Sequence, residues 1–185
     1  MSRIFASLSI CAILLMATSV VLGLRLEKNA LVQQVRAAEQ RIASLAGSPD
    51  RGAGEVQEAE QDLEAAIQRL RAEQAYGTAH LLTGVAATLG IVLVGSIAVT
   101  YFIGTGRWCR EVVEAYALED QLLRASRDLK GRSFPWALAA MLTAVGVSAL
   151  GARSDPATGF ANSAAWVTVH LAAALGGLVL VCVCF

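Results

Sequence analysis

Charged residues are missing from four long stretches of this 185-residue chain. Residues 4–24, 78–106, 134–152 and 156–185 contain no Asp, Glu, Lys or Arg, although these residue types make up 16% of the sequence. Each stretch supplies the roughly 20 apolar residues needed to cross about 30 Å of hydrocarbon. With 56% hydrophobic residues, the chain is too apolar for an ordinary soluble domain. We therefore predict an all-α membrane protein with four transmembrane helices.

The same absence argues against several functional classes. Ion- and proton-coupled transport usually needs charged side chains within the spans, and these four stretches have none. No carboxylate pair or Ser/His/Asp pattern suited to hydrolysis is present, so we expect no enzymatic activity. A formal net charge of zero, without a basic stripe interleaved with aromatic residues, argues against nucleic-acid binding.

Cysteine is also scarce, and its positions imply no disulfide framework. Cys11, Cys109, Cys182 and Cys184 lie within spans or on the predicted inner side. Cys182 and Cys184 are two residues apart, so they point in nearly opposite directions on a helix and make a poor metal site.

One long polar segment, residues 25–76, separates the first two apolar stretches, and we call it the hairpin segment. Its apolar residues repeat at alternating spacings of three and four, which is typical of a coiled-coil seam. The seam residues are Leu31, Val35, Ile42 and Leu45 in the first arm and Val56, Leu63 and Leu70 in the second. Residues 47–54, rich in Gly and containing Pro, turn the chain between the arms. The pattern predicts a helical hairpin that acts either as a spacer or as a contact for a second copy or another membrane protein.

The remaining boundaries follow from the same alternation of apolar and polar stretches. The first apolar run exceeds the 7–15 residues of a typical signal-peptide core, which favours a retained anchor over a cleaved signal. We expect this anchor to continue into the first arm as one helix, and Ser133 and Pro135 to begin the third span. The predicted segments are transmembrane helix 1 (1–24), the extracytoplasmic coiled-coil hairpin (25–76), transmembrane helix 2 (77–106), a cytoplasmic amphipathic segment of one or two short helices (107–133), transmembrane helix 3 (134–152), an outer turn (153–162) and transmembrane helix 4 (163–185), capped by Asn162 or Ser163.

Small residues recur along the spans at spacings that allow close helix approach. The predicted packing positions are Ala86 with Gly90 on the second span, Ala140, Ala144, Ser148 and Ala152 on the third, and Ala165, Thr168, Ala172 and Gly176 on the fourth.

The distribution of Lys and Arg predicts the orientation. These residues are more densely packed around the N-terminus and residues 107–132 than along the hairpin segment, which favours a cytoplasmic N-terminus. We expect a protein integral to a membrane, the bacterial cytoplasmic (inner) membrane, with the hairpin segment facing outward.

The chain has only two histidines, His80 and His170, and both lie in predicted spans. Counting 1.5 Å per residue puts them about 5 and 10 Å inside the outer edge. Facing histidines in a four-helix bundle can hold a b-type haem, and imidazole pairs can also bind copper. Ordinary hydrogen bonding and packing is the other interpretation, and it implies no cofactor.

Together these patterns predict a structural, scaffold or accessory component of a larger membrane assembly. Its expected partners are the lipid bilayer and either a second copy or another membrane protein. The alternative is a small membrane redox subunit with a bis-histidine haem b or copper site at His80 and His170.

Overall fold

The computed structural model describes residues 2–26, 28–47 and 52–185, and all regular structure within them is helical. The elements are α1 (Ser2–Leu24), α2 (Lys28–Ala46), α3 (Ala53–Ala115), α4 (Gln121–Ser154), a short 3-10 helix (Pro156–Thr158) and α5 (Ser163–Cys184). Residues 48–51 of the predicted turn between α2 and α3 lie outside the described residues.

Four of the described helices, α1, α3, α4 and α5, are long and apolar enough to cross a membrane. Their outward surfaces carry many large apolar side chains, such as Leu89 at 65% exposure and Leu142 at 63%. Within the described part of residues 25–75, by contrast, every large apolar side chain is at least half-buried. The apolar surface is therefore confined to the bundle and its ends.

These four helices form a closed ring in which α1 packs on α3, α3 on α4, α4 on α5 and α5 on α1. At one end of the ring, the Phe5 and Phe185 rings meet edge to face with centroids 6.2 Å apart. At the other end, His80 of α3 lies against Ser19 of α1. The helices consequently alternate in direction.

The core of the ring is built mainly from small side chains. It consists of Ala12, Met16, Ala87, Ile91, Ala140, Ala144 and Val181. Close approach is visible at Gly90, where an added Cβ would lie 3.3 Å from the Cβ of Ala12. When a helix is apolar on all sides, the hydrophobic effect cannot hold it against its neighbours. Close packing of small side chains stabilises the helix contacts instead.

The second arm of the hairpin segment and the second span belong to one 63-residue helix, α3. The helix continues without a break through Gly77, where the second span was predicted to begin. No proline occurs between residues 53 and 115, and a single glycine costs a helix only about 1 kcal/mol. At 1.5 Å per residue, α3 is about 95 Å long.

The predicted continuity of the anchor and the first arm is wrong, because α1 ends at Leu24 and α2 begins at Lys28. The Arg25 and Leu26 amides donate hydrogen bonds of 3.2 Å to carbonyl groups three residues back, which tightens the last turn of α1. Gly23, a weak helix former, lies directly before this break.

The segment 107–133 is not a separate element, because α3 extends to Ala115 and α4 begins at Gln121. The prediction that Ser133 and Pro135 start a helix is wrong, since Pro135 lies inside α4. Residues 121–132 are mostly good helix formers, so the helix begins before the apolar run. Asn162 does occupy the N-cap position of α5, without a side-chain capping bond.

Only part of the predicted small-residue packing faces the core. Ala140 and Ala144 are buried, but Ala86, Ser148 and Ala152 are exposed. The predicted face of α5 points outward at all four positions, and its buried residues are Ala174, Gly177 and Val181. Small residues occur on several faces of α5, so their spacing alone does not identify the face that packs inward.

Candidate functional site

The structure brings the two histidines together at the end of the ring that adjoins the hairpin segment. His80 projects from α3 and His170 from α5, and their ring centroids are 6.2 Å apart with the planes at 78°. The residues come from α3 and α5, which are separated by α4 in sequence and lie diagonally opposite each other in the ring. The sequence contains two histidines, so no other pair of histidines can form within one chain.

The orientation of His80 is fixed by α1. Its Nδ1 atom lies 2.9 Å from the backbone carbonyl oxygen of Ser19, and Ser19 itself is only 8% exposed. A carbonyl oxygen can only accept a hydrogen bond, so Nδ1 carries the proton and donates it. In the neutral tautomer with this bond, the lone pair of the ring lies on Nε2.

Each imidazole ring lies in a slot left by a glycine on the neighbouring helix. A Cβ added to Gly23 of α1 would lie 2.9 Å from Cε1 of His80. A Cβ added to Gly151 of α4 would lie 3.0 Å from Cε1 of His170. Alanine at either glycine would displace the ring, so the two slots determine where the histidines lie.

His170 differs from His80 in its hydrogen bonding. Its Nδ1 atom is buried and forms no hydrogen bond to the described residues. Leaving a buried polar nitrogen without a partner costs roughly 1–3 kcal/mol. The pair thus presents one nitrogen that carries a lone pair and one buried nitrogen that has no partner among the described residues.

Sequence reasoning found both histidines but missed the residues that hold them. Ser19 and Gly23 are four residues apart on α1, and this spacing is the signal of a small-residue face toward another helix. Gly151 could not be recognised from the sequence as a packing position, because it follows a run of small residues on α4.

The donor set limits which metal centres fit. Among the described residues, no group of three or more His, Cys, Asp or Glu side chains is positioned to hold a metal ion. A zinc site needs three or four protein ligands, so the histidine pair does not form one.

The hairpin segment offers a second, different kind of site. All seven predicted seam residues are half-buried, and Ala59 and Ala66 between them are buried. Arg41 of α2 binds Asp62 of α3 at 3.0 Å and lies 3.7 Å from Glu58, which holds the two helices side by side. The half-buried residues Val32 and Ile67 extend the seam beyond the predicted positions.

A shallow groove lies along the surface of α3 in this region. It is lined by Glu60, Leu63, Glu64, Ile67, Gln68 and Arg71. Its floor is apolar and its rim is charged, as expected of a surface on which another helix can lie.

Comparisons with known proteins found no relative of this chain. No protein-family model, no curated protein and no solved structure matches the chain.

Proposed function

We propose that this protein is an integral membrane scaffold or accessory subunit without enzymatic activity. In this proposal α1, α4, α5 and residues 78–106 of α3 cross the bilayer, and the hairpin segment stands in water as a coiled coil. The hairpin of one copy binds the hairpin of a second copy.

The distribution of exposed apolar side chains is the observation that carries this proposal. Large apolar residues are exposed on the bundle, whereas those in the described part of residues 25–75 are all at least half-buried. The first surface suits lipid and the second suits water. This contrast favours a projecting hairpin over one that lies within the membrane.

The continuity of α3 supports a role in contact at a distance from the membrane. Residues 53–76 extend the second span by about 36 Å without a break. A flexible linker would let the hairpin move independently, but a continuous helix holds it in one direction. A fixed direction is useful for an element that positions partners.

Charge complementarity favours a second copy as the partner. The stretch 53–64 of α3 has five acidic residues and no basic one, whereas α2 has three basic residues and one acidic. The groove on α3 carries Glu60 and Glu64 at its rim, and Arg36 of α2 is exposed. In a two-fold dimer, the basic α2 of each copy would lie on the acidic groove of the other.

Charge reversal tests this arrangement. In mild detergent, the wild-type chain is expected to be a dimer by light scattering after subtraction of the detergent mass. Replacing both groove carboxylates (Glu60→Lys with Glu64→Lys) should weaken the dimer about five- to tenfold, because like charges then face each other. Adding Arg36→Glu to that variant should restore dimerisation.

A matched control places the same charge change at the opposite end of α3. Glu119→Lys with Asp120→Lys in the turn before α4 should leave the dimer intact. A wild-type chain that stays monomeric at all concentrations would refute self-association. A dimer that ignores the groove variants but responds to the control would move the interface to the other side of the membrane.

We also propose that the membrane is the bacterial cytoplasmic membrane and that the N-terminus lies in the cytoplasm, since Lys and Arg are densest on that side. Cys109 would then be inaccessible from outside. In intact cells, an impermeant thiol reagent should leave Cys109 unlabelled and should label a cysteine introduced at Ala65, which is exposed and lies outside the groove. Labelling of Cys109 alone would reverse the orientation.

A further inference from the structure

We infer that the C-terminal part of α3 and the N-terminal part of α4 bind the headgroups of anionic phospholipids. The binding surface consists of five basic residues, which we call the basic cluster: Arg107 and Arg110 on α3, and Arg127, Lys130 and Arg132 on α4. The inference rests on the proposal that the four helices cross a bilayer. It is argued from the depth, the charge and the exposure of these residues.

The register of α3 against α4 gives the depth of the basic cluster. The hydroxyl groups of Thr88 and Ser148 are 2.7 Å apart, and the Ser96 hydroxyl lies 3.9 Å from the Met141 sulfur. These contacts show that the two helices run antiparallel and that each step along α3 matches one step back along α4. The basic residues of the two helices therefore overlap in depth.

Exposed aromatic side chains mark where the bundle meets the headgroup layer at this end. Tyr101 of α3 is 55% exposed and Trp136 of α4 is 51% exposed, and the register puts them at the same level. Tyr and Trp prefer this depth in a bilayer. At 1.5 Å per residue, the basic cluster begins about 6 Å beyond this level at Arg132 and reaches about 14 Å at Arg110 and Arg127. Long basic side chains can extend back toward lipid phosphates from these positions.

The charge in this part of the chain changes sign with distance from the aromatic level. The nearer stretches, residues 102–110 and 127–135, contain five basic side chains and one acidic side chain, Asp128. The outer stretch, residues 111–126, contains one basic side chain and four acidic ones. Attraction to anionic lipid falls off within a Debye length of about 10 Å, so basic residues bind it only when they lie close to the surface. The observed separation of charge matches this requirement.

The hairpin end of the same two helices lacks this excess of positive charge. Residues 67–75 of α3 and residues 153–162, at and beyond the end of α4, contain three basic side chains and two acidic ones. Their net charge is therefore +1, whereas five basic side chains and one acidic give the stretches around the basic cluster +4. We expect anionic lipid to collect at the basic cluster rather than at the hairpin end.

The charges of the basic cluster are available to a ligand. All five side chains are exposed. Arg107 forms an ion pair with Glu111 at 2.9 Å, and its side chain remains 82% exposed. The other four form no ion pair with any residue that the structure describes. Arg and Lys bind phosphate oxygens through charge-assisted hydrogen bonds, which are stronger than neutral ones.

Glycines leave space for a headgroup beside two of the arginines. Gly104 lies three residues before Arg107, and Gly131 lies four residues after Arg127, so each glycine shares a helix face with its arginine. A Cβ added to either glycine would meet no neighbouring atom within 4 Å. Both glycines lie on the membrane side of their arginine. The surface between each arginine and the aromatic level is therefore open.

Quenching of tryptophan fluorescence by brominated lipid tests the inference on the full-length protein. Of the three tryptophans, one variant keeps only Trp136, beside the basic cluster, and another keeps only Trp166, at the hairpin end, with the others changed to Phe. Each is reconstituted into vesicles of equal parts phosphatidylglycerol and phosphatidylcholine, in which one of the two lipids carries bromine on its acyl chains. Trp136 should show about a three- to fivefold preference for phosphatidylglycerol, and Trp166 a preference below about twofold.

Charge-removing variants of the Trp136 protein locate the binding surface. Lys130→Gln with Arg132→Gln removes the two charges closest to the membrane, and it should reduce the preference at least about twofold. The matched control, Arg25→Gln with Arg69→Gln, removes two exposed charges at the hairpin end and should leave the preference unchanged. At 1 M salt the Debye length is about 3 Å, so the preference should fall close to one. Circular dichroism should give the same helicity for every variant.

The possible failures of the inference and of the proposed membrane placement are distinguishable. Equal quenching of Trp136 by the two brominated lipids would overturn the inference and leave the membrane placement intact. An unchanged preference in the variant that lacks Lys130 and Arg132 would also overturn it. If neither lipid quenches Trp136, the proposed crossing of the bilayer is wrong, and the inference is overturned with it.

Discussion

Adjacent glycines on α5 provide a sharp test of how this helix is oriented. Gly177 is buried, and an added Cβ would lie 3.1 Å from Thr143 Cγ2, 3.2 Å from Met16 Cε and 3.2 Å from Val147 Cγ2. Gly176 has no such neighbour within 4 Å. We therefore compare Gly177→Leu with Gly176→Leu, two variants of identical chemistry one residue apart.

The expected difference follows from two opposing effects. Replacing a helical glycine by leucine gains up to about 1 kcal/mol of helix propensity at either position. At Gly177, overpacking against three side chains from α1 and α4 costs about 1–3 kcal/mol, and leucine reaches the upper end of this range because it is larger than alanine. Because the propensity gain is the same at both positions and cancels, the free energies of unfolding of the two variants should differ by roughly 1–3 kcal/mol, towards the upper end of that range, with Gly177→Leu the less stable.

Titration with sodium dodecyl sulfate in mixed micelles, followed by circular dichroism, measures this difference. Gly177→Ala and Gly176→Ala give the milder version of the same comparison if Gly177→Leu does not fold. Equal midpoints for the two leucine variants would show that Gly177 does not face α1 and α4. A larger loss at Gly176 would mean that the outward face of α5 is covered in the assembled protein.

Other substitutions test individual contacts. Ser148→Ala removes the 2.7 Å hydrogen bond to Thr88 between α4 and α3, and it should lower the free energy of unfolding in the same titration by about 0.6 kcal/mol. Ala117 has a φ of 47°, so Ala117→Gly should relieve roughly 1 kcal/mol of backbone strain and raise the midpoint of thermal unfolding. Arg41→Ala breaks an exposed ion pair with Asp62, and it should cost less than about 1 kcal/mol at low salt and nothing measurable at 1 M salt.

The four long apolar helices were predictable because burial and exposure leave a clear mark on sequence. A charge inside hydrocarbon is costly, so its absence over about 20 residues identifies an apolar helix. The coiled-coil seam remains a prediction from residue spacing; residues assigned to it, such as Leu31 and Leu63, are half-buried in the structure. In both cases the prediction depends on a difference between polar and apolar positions that can be read directly from the sequence.

The inward faces of the spans were not predictable in the same way. Helices that are apolar on all sides carry no such contrast, and this is why Ala86 and Ala172 were assigned to the wrong face. The rise per residue predicted a depth for His80 and His170, but their contact depends on how each helix is rotated about its axis. That rotation is set by close contacts such as Gly23 against His80, which no periodicity reveals.

The unbroken course of α3 also makes the molecule a mechanical link. Because this helix runs from the tip of the hairpin segment through the bundle to the turn before α4, a sideways pull at the tip tilts the whole rod. His80 lies along it, so the spacing of the histidine pair would respond to such a tilt. A load on the hairpin segment would thereby reach the imidazole pair through a single helix.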